Sequence, residues 1–255
     1  MHALDVGNMS KILGPVTILL KPGEVLPSNK RIYTLSQDAQ SHLNEVLEFM
    51  QNLGIVSRCK DHLQQHLQGV PVFVIPRRNS FSRILIDFNQ INPLFVLPAQ
   101  TLPQIDTSLQ FLNDFGLVSL MDLSNAYYGI EICNETKKLM TFVTKDGAYT
   151  MNRLPTGLGC SPIIYADFMD KIIHWDPVRN NKGEIVMENG KAKLIRNPLS
   201  FCQNYFDDIS VKSPLADTYA EMLKLHFDNL EIVVSKLALH KAKISLQKCH
   251  FAESK

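Results

Sequence analysis

The sequence predicts an α+β protein in which helices cover one face of a sheet. Apolar runs of strand length alternate with segments of helical periodicity, but without the regular strand–helix–strand rhythm of parallel sheets. The composition is that of a globular protein, with 45% hydrophobic and 20% charged residues in 255. A chain of this length can bury a sizeable core, as one large domain or as two lobes.

Charge and cysteine content narrow the choice of partners. The net charge is only +1, so any nucleic-acid surface must come from a local arrangement of Lys and Arg. Five scattered cysteines without CxxC spacing predict free thiols in a reducing, intracellular compartment and argue against zinc. The apolar stretch 12–20 is interrupted by Gly14 and Pro15 and is too short to span a bilayer. We therefore expect no membrane partner.

Several helices are predicted from caps and periodicity. Ser36 is placed to cap the first long helix, which Gly54 ends in the left-handed conformation usual there. A shorter helix is expected over Ile105–Asn113. Ser-Pro pairs favour helix starts, so further helices are predicted to open at Ser161 and at Ser213.

Two hairpins and one isolated strand complete the prediction. Val70–Ile75 and Arg83–Phe88 are expected to form a hairpin around a polar turn. Leu117–Leu123 is a short apolar strand that ends at a carboxylate. Phe201–Tyr205 and Ile209–Lys212 flank an aspartate pair, which would occupy the tip of the second hairpin because aspartate tolerates turns.

Three carboxylates are the main candidates for chemistry. Asp207 and Asp208 lie in a YFDD tetrad, and Asp122 lies far upstream in MDLSNAY. Carboxylates from two distant strands are what a pair of Mg²⁺ ions needs for phosphoryl transfer. Adjacent aspartates also form plain turns, so the alternative of a surface turn stays open without further motifs.

Four segments, taken in order, resemble the fingers and palm of a reverse transcriptase from an LTR retrotransposon or retrovirus. VPVFVIPRRNSFSRILIDFNQIN resembles the fingers hairpin, and LMDLSNAYYGIEI resembles the first palm motif. RLPTGLGCSP resembles the motif that opens the template-holding helix, and NYFDDISVKS resembles the signature hairpin. The resemblance implies the right-hand polymerase fold, with an antiparallel palm sheet backed by helices and no thumb.

The resemblance also implies a division of the chain. An N-terminal extension over residues 1–15 would precede a reverse transcriptase catalytic domain over 16–255. The fingers would take about 16–100 and 130–160, and the palm about 101–129 and 161–255. The sequence stops before the family's primer grip, thumb and RNase H segments. We expect a fragment of a longer polyprotein, whose other segments would be partners.

The implied activity is RNA-directed DNA synthesis, the addition of deoxynucleotides to a primer 3′ end by two-metal phosphoryl transfer. Asp122, Asp207 and Asp208 would hold two Mg²⁺ ions, and Mn²⁺ would also be accepted by carboxylate oxygens. The implied partners are an RNA or DNA template-primer and deoxynucleoside triphosphates. The implied location is the cytoplasm or a virus-like particle.

Arginines near the first hairpin are candidates for binding the incoming triphosphate. Arg83 matches the family's fingers arginine, and Arg77 or Arg78 matches the basic pair near the hairpin tip. The planar guanidinium pairs bidentately with phosphate oxygens. A solvated hairpin edge remains an alternative, and the sequence does not settle which of Arg77 and Arg78 faces the nucleotide.

Three further residues are expected at the nucleotide. Tyr127 occupies the family's steric-gate position, where an aromatic ring leaves no room for a 2′-hydroxyl; without the family context it reads equally as a packing residue. Gly157 suits a loop whose backbone approaches nucleotide or template closely. Thr156 precedes it, where retroviral enzymes commonly carry Gln and retrotransposons carry Phe.

The last candidates lie near the primer and the leaving group. Tyr205 and Phe206 would lie beside the primer end. Lys248 matches the family's late palm lysine, a proton donor to pyrophosphate, although a plain surface lysine is the alternative. Asn89 replaces an arginine usual in the family, and residues 176–198 look like a surface insertion.

Two other functions remain open from the sequence. A catalytically inactive, retroelement-derived nucleic-acid-binding protein would keep the fold without turnover. An RNA-dependent RNA polymerase would share the paired aspartates, but Tyr127 argues against it.

Overall fold

The computed structural model describes residues 6–27, 32–59, 70–75, 83–99 and 105–254. The chain divides into two compact units. The first unit contains Pro15–Pro98 and Ile130–Ser161. The second contains Val6–Gly14, Ala99–Gly129 and Pro162–Lys255. Residues 6–14, which the sequence assigned to an N-terminal extension, thus group with the second unit.

The described residues contain six α-helices: α1 (Ser10–Leu13), α2 (Gln37–Asn52), α3 (Ile105–Phe111), α4 (Asn134–Leu139), α5 (Ser161–His174) and α6 (Tyr219–Leu239). They also contain thirteen strands: β1 (Val56–Arg58), β2 (Val70–Ile75), β3 (Arg83–Ile86), β4 (Leu117–Asp122), β5 (Thr141–Thr144), β6 (Gly147–Met151), β7 (Trp175–Pro177), β8 (Met187–Glu188), β9 (Lys191–Ala192), β10 (Leu194–Arg196), β11 (Cys202–Tyr205), β12 (Asp208–Ser213) and β13 (His250–Ser254). None of these helices is long and apolar enough to cross a membrane.

The first unit is built on a five-stranded sheet with the order β1-β6-β5-β2-β3. Only the β2–β5 pair is parallel. Helix α2 starts where predicted, since Ser36 accepts a hydrogen bond from the Ala39 amide at 3.2 Å. Gly54 follows its end with φ 68°, a conformation that costs glycine little. The predicted antiparallel pairing of β2 with β3 is confirmed, with β3 ending at Ile86, whereas the polar turn between them lies outside the described residues.

The second unit is built on a four-stranded antiparallel sheet with the order β11-β12-β4-β13. Helix α6 packs against β12 and β4. The strands alternate in burial, so that Met121, Ile209 and Val211 face the core. An antiparallel sheet backed by a helix is therefore confirmed for this part of the chain.

The start of α6 differs from the prediction. The helix begins at Tyr219, five residues after Pro214, and Ser213 stays in strand β12. Thr218 and Glu221 form a capping box, in which the Thr218 hydroxyl accepts from the Glu221 amide at 3.2 Å and Glu221 accepts from the Thr218 amide at 3.2 Å. This reciprocal pair satisfies two amides, whereas a Ser-Pro start would satisfy fewer.

The helix at Ser161 also starts differently in detail. Ser161 is the first residue of α5, and its hydroxyl donates to the Pro155 carbonyl at 2.6 Å. The side chain therefore ties the preceding loop to the helix instead of capping the helix amides.

The predicted insertion contains regular secondary structure. Strands β8 and β9 form one two-stranded sheet within 176–198, and β10 pairs with β7, which begins one residue earlier at Trp175, in another. The Lys236 ammonium of α6 bonds the Asp176 carboxylate and the Trp175 carbonyl. This buried cation connects the excursion to the long helix.

A buried histidine connects two strands to the helix that backs them. His226 of α6 is fully buried. Its Nε2 is hydrogen-bonded to Ser119 Oγ of β4 at 2.7 Å, and its Nδ1 to Ser213 Oγ of β12 at 2.9 Å. Burial lowers the pKa of His226 below its usual value, so the ring is neutral in the folded protein at neutral pH.

This arrangement predicts a pH-dependent contribution to stability. The unfolded chain binds the His226 proton at a pKa of about 6.5, above the folded value. The free energy of unfolding should therefore fall as pH drops below about 6.5. His226→Phe should lose about 1–3 kcal/mol at pH 8, because two buried hydroxyls each lose one of their hydrogen bonds, and the loss should shrink by pH 5. Urea unfolding at both pH values measures this.

The control is His250→Gln, which removes an exposed imidazole from the same unit. The free energy of unfolding of this variant should equal that of the wild type at both pH values. If the free energies of unfolding of wild type and His226→Phe differed by the same amount at pH 8 and at pH 5, the lowered pKa of the buried His226 would be contradicted.

Candidate functional site

Two of the three predicted acidic residues face each other across neighbouring strands. Strand β4 ends at Asp122, β12 begins at Asp208, and these two residues are register partners. Opposed residues of an antiparallel pair share one face of the sheet. Asp207 adjoins them in the β11–β12 turn, where its carbonyl accepts from the Leu123 amide at 3.0 Å. The expected proximity of Asp122 to the later pair is confirmed.

The turn that carries Asp207 depends on an unusual backbone conformation. Phe206 has φ 51°, in the left-handed region that non-glycine residues seldom adopt. The rings of Tyr205 and Phe206 meet edge to face, with centroids 4.9 Å apart. Asp207 is partly buried and Asp208 is exposed. The turn and the two strand residues that flank it therefore present two carboxylates and two aromatic rings, and Asp208, predicted for the hairpin tip, is the first residue of β12 and pairs with Tyr205.

A lysine from the C-terminal part of the chain neutralises Asp122. The Lys248 ammonium lies 3.0 Å from Asp122 Oδ1 and 3.1 Å from Oδ2. The segment before it is fixed to the end of β4, because the Ser245 amide donates to the Asp122 carbonyl at 2.8 Å. The side chain of Lys248 is 67% exposed and that of Asp122 20%. Such an exposed pair holds its geometry weakly.

The donor set suits a hard divalent cation, since Mg²⁺ and Mn²⁺ prefer carboxylate oxygens. In the part of the chain that the structure describes, however, no group of three His, Cys, Asp or Glu side chains is arranged so that it could hold a metal ion. Both oxygens of Asp122 contact the Lys248 ammonium instead. In this arrangement the ammonium is the cation that Asp122 binds.

Two tyrosines stack beside the acidic residues. The rings of Tyr127 and Tyr165 have centroids 4.8 Å apart and an interplanar angle of 24°. Burial, and then the charge of Asp207, raise the pKa of Tyr127. Burial also raises the pKa of Tyr165 well above its usual value, and Asp207, Asp208 and Asp122 all add to the effect. Both phenols are therefore neutral at physiological pH.

The glycine loop of the first unit is fixed by an asparagine. Gly157 has φ 89°, and a Cβ there would lie 3.2 Å from the Ile86 carbonyl oxygen, so a side chain would be strained. Asn92 Oδ1 accepts from the Gly159 amide at 2.8 Å, and Asn92 Nδ2 donates to the Gly157 carbonyl at 3.3 Å. Thr156 is half-buried beside Gly157.

The structure describes one of the three candidate arginines. Arg83 is exposed at the start of β3, opposite Ile75. Arg77 and Arg78 lie outside the described residues. The triphosphate contacts expected of these arginines stay predictions.

Two residues that support predicted positions, one in each unit, escaped the sequence reasoning. Tyr165 lies three and four residues before Phe168 and Met169, which are buried on α5, so helical periodicity would have placed it on the same buried face. In the sequence, Asn92 is only the last residue of the segment that resembles the fingers hairpin. Its two bonds to the glycine loop join positions 65 and 67 residues apart, and no local pattern reveals such a contact.

Comparison with known proteins gives consistent matches. Residues 80–255 match the family described as "Reverse transcriptase (RNA-dependent DNA polymerase)". The Retrovirus-related Pol polyprotein from transposon 297 of Drosophila melanogaster is 24% identical over 230 residues, which are 88% of this chain and 19% of that protein. The Gag-Pol polyprotein of Walleye dermal sarcoma virus is 27% identical over 176 residues, which are 67% and 9% of the two chains. The chain thus spans less than a fifth of these relatives.

Solved structures show the same fold. The Prototype Foamy Virus protease-reverse transcriptase matches with a TM-score of 0.72 and 19% identity, over 97% of this chain and 28% of that one. A foamy viral protease-reverse transcriptase in complex with an RNA/DNA hybrid matches with a TM-score of 0.69 and 20% identity, over 97% and 28%. The fingers and palm fold is confirmed, and no thumb is evident among the described residues.

The family match covers most of the chain, includes all three acidic residues, and agrees with the fold. This chain belongs to the reverse transcriptase family.

Proposed function

We propose that this chain catalyses RNA-directed DNA synthesis, adding deoxynucleotides to the 3′ end of a primer on a template. One observation carries the proposal. In a chain of the reverse transcriptase family, the register of β4 and β12 sets Asp122 opposite Asp208, with Asp207 in the adjoining turn. Three carboxylates at one edge of a sheet supply the negative charge that phosphoryl-transfer enzymes use to bind cations.

Asp122, Asp207 and Asp208 are the proposed ligands of two Mg²⁺ ions. When bound, the ions would lower the pKa of the primer 3′-hydroxyl and neutralise the charge that develops on the α-phosphate and the pyrophosphate. Asp122 and Asp208 are positioned by hydrogen-bonded strands, so their backbone needs no rearrangement to approach a cation. Asp122 would exchange the Lys248 ammonium for its new partner.

The other predicted residues would position substrates. Lys248, once released from Asp122, is the proposed proton donor to pyrophosphate, and its exposure gives it the freedom to move. Tyr127 is the proposed steric gate against a 2′-hydroxyl. The proposed nucleotide contacts are Arg77, Arg78, Arg83, Thr156 and Gly157. Tyr205 and Phe206 are proposed to lie beside the primer end, where aromatic rings can stack on bases.

The proposed nucleic-acid partner is an RNA or DNA template-primer. Foamy viral protease-reverse transcriptases, which share this fold, have been solved with an RNA/DNA hybrid and with double-stranded DNA. The net charge of +1 gives little long-range attraction to such a partner. Binding would therefore rest on local contacts and should weaken steeply with salt.

Primer extension tests the proposed activity directly. Purified protein with an RNA template, a DNA primer, Mg²⁺ and deoxynucleotides should extend the primer. Asp207→Asn should lower the rate at least about a hundredfold, because the transition state loses a charge that acts where charge develops. Gel analysis of extended primer under single-turnover conditions measures the loss.

Asp228→Asn is the matched control, since Asp228 is an exposed aspartate on α6 of the same unit. It should leave the rate unchanged. Wild-type product no greater than that of Asp207→Asn would overturn the proposal and favour an inactive nucleic-acid-binding protein. Equal use of ribonucleotides and deoxynucleotides would favour an RNA polymerase.

The Lys248 ammonium should compete with a divalent cation for Asp122. Lys248→Met removes the ammonium that contacts both Asp122 oxygens, so Mn²⁺ should bind more tightly. An exposed ion pair contributes at most about 1 kcal/mol, which corresponds to roughly a twofold to fivefold change in affinity. Electron paramagnetic resonance titration of free Mn²⁺, without nucleotide, measures the dissociation constant.

Lys193→Met is the control for net charge, because Lys193 is an exposed lysine paired with Glu188 in the same unit. Its Mn²⁺ affinity should equal that of the wild type, and Lys248→Arg should also bind as the wild type does. If Lys248→Met bound Mn²⁺ no better than Lys193→Met, competition at Asp122 would be ruled out.

A further inference from the structure

We propose that Tyr165 is a positioning residue for sugar selection: a buried ring that holds the Tyr127 ring in place and so contributes to the preference for deoxynucleotides. The inference rests on the proposed function, and it assigns a role to a residue outside the motif positions considered above. Both tyrosines belong to the second unit.

The two rings differ in burial. Tyr165, on helix α5, is fully buried, whereas Tyr127 is only partly buried. The rings are nearly parallel, with an interplanar angle of 24° and centroids 4.8 Å apart, a stacked geometry that is attractive for aromatic pairs. The accessible ring thus rests on an inaccessible one. Of the pair, only Tyr127 can meet a substrate.

The backbone around Tyr127 is less regular than the backbone around Tyr165. Tyr127 lies in a four-residue 3₁₀ turn, Ala126–Gly129, and such turns have poorer hydrogen-bond geometry than α-helices. Asn125 before it has φ 50°. Helix α5, in contrast, spans fourteen residues. The ring of Tyr165 therefore has the better-anchored backbone and is the fixed member of the stack.

The Tyr165 hydroxyl does not hold the ring in place. Its oxygen is buried without a hydrogen-bond partner among the described residues, which destabilises a fold instead of stabilising it. Packing and stacking, not a hydrogen bond, therefore hold the ring. A phenylalanine at this position would keep the same support for Tyr127.

Selection of deoxynucleotides requires the gate to exclude a small group. A gate that distinguishes ribose from deoxyribose must resist a single hydroxyl, and small displacements of a positioning group change rates strongly. A ring free to tilt away would admit the 2′-hydroxyl. Discrimination should therefore depend on the ring beneath Tyr127 as well as on Tyr127.

Steady-state kinetics with dCTP and CTP tests this role. Tyr165→Leu should lower the ratio of kcat/KM for dCTP over CTP by roughly threefold to tenfold. The change should appear mainly as a lower KM for CTP, because the gate obstructs binding of the ribose. Tyr165→Phe should keep the wild-type ratio. Tyr165→Met, whose flexible side chain adapts to an irregular cavity better than that of Leu, should behave as Leu does and replaces it if Leu does not fold.

A double-mutant cycle separates positioning from general damage. Tyr127→Ala should lose discrimination, and adding Tyr165→Leu to it should change the ratio no further, because coupled residues are not additive. A wild-type ratio in Tyr165→Leu, a lowered ratio in Tyr165→Phe, or an independent further loss in the double variant would each overturn the inference. A wild type that extends no primer would overturn the proposed function, whereas an active wild type with any of these three results overturns this inference alone.

Discussion

The pairing of β4 with β12 is the constraint on which the candidate site depends. On one face of this pair, Met121 opposes Ile209, Ser119 opposes Val211 and Leu117 opposes Ser213, and all six side chains are buried. On the other face, Asp122 opposes Asp208. A slip of one residue would exchange the two faces of a strand. The burial of apolar groups on one side therefore fixes the carboxylates on the other, and His226 adds to this by bonding one serine from each strand.

Local features of this fold could be predicted from the sequence, because their causes lie within a few residues. Ser36 and Gly54 bound a helix through a cap and a left-handed turn, and both effects act within one helical turn. The same locality explains the error at α6: two start signals lay close together, and the capping box of Thr218 outweighed the Ser-Pro pair. The order of the motifs indicated the family, and the resemblance to that family predicted that Asp122 lies close to Asp208.

Contacts between distant segments could not be predicted in this way. Lys248 meets Asp122 across 126 positions, and Ser119 meets His226 across 107. Neither pair leaves a periodic or compositional trace, because each arises from tertiary packing between segments that are far apart in the chain. The stack of Tyr127 on Tyr165 belongs to the same class. Sequence reasoning found one ring from its motif and missed the other, which has only a packing position to identify it.

The acidic edge combines fixed anions with a displaceable cation. Asp122 and Asp208 lie in paired strands, with a buried network behind them, so their backbone positions are set by the core. Lys248 comes from a three-residue 3₁₀ turn, Leu246–Lys248, and most of its side chain is exposed. Like charges this close destabilise a fold unless a counter-ion is near. Because the counter-ion is an exposed side chain and the anions lie in paired strands, the proposed exchange of cations would leave the sheet that holds the carboxylates folded.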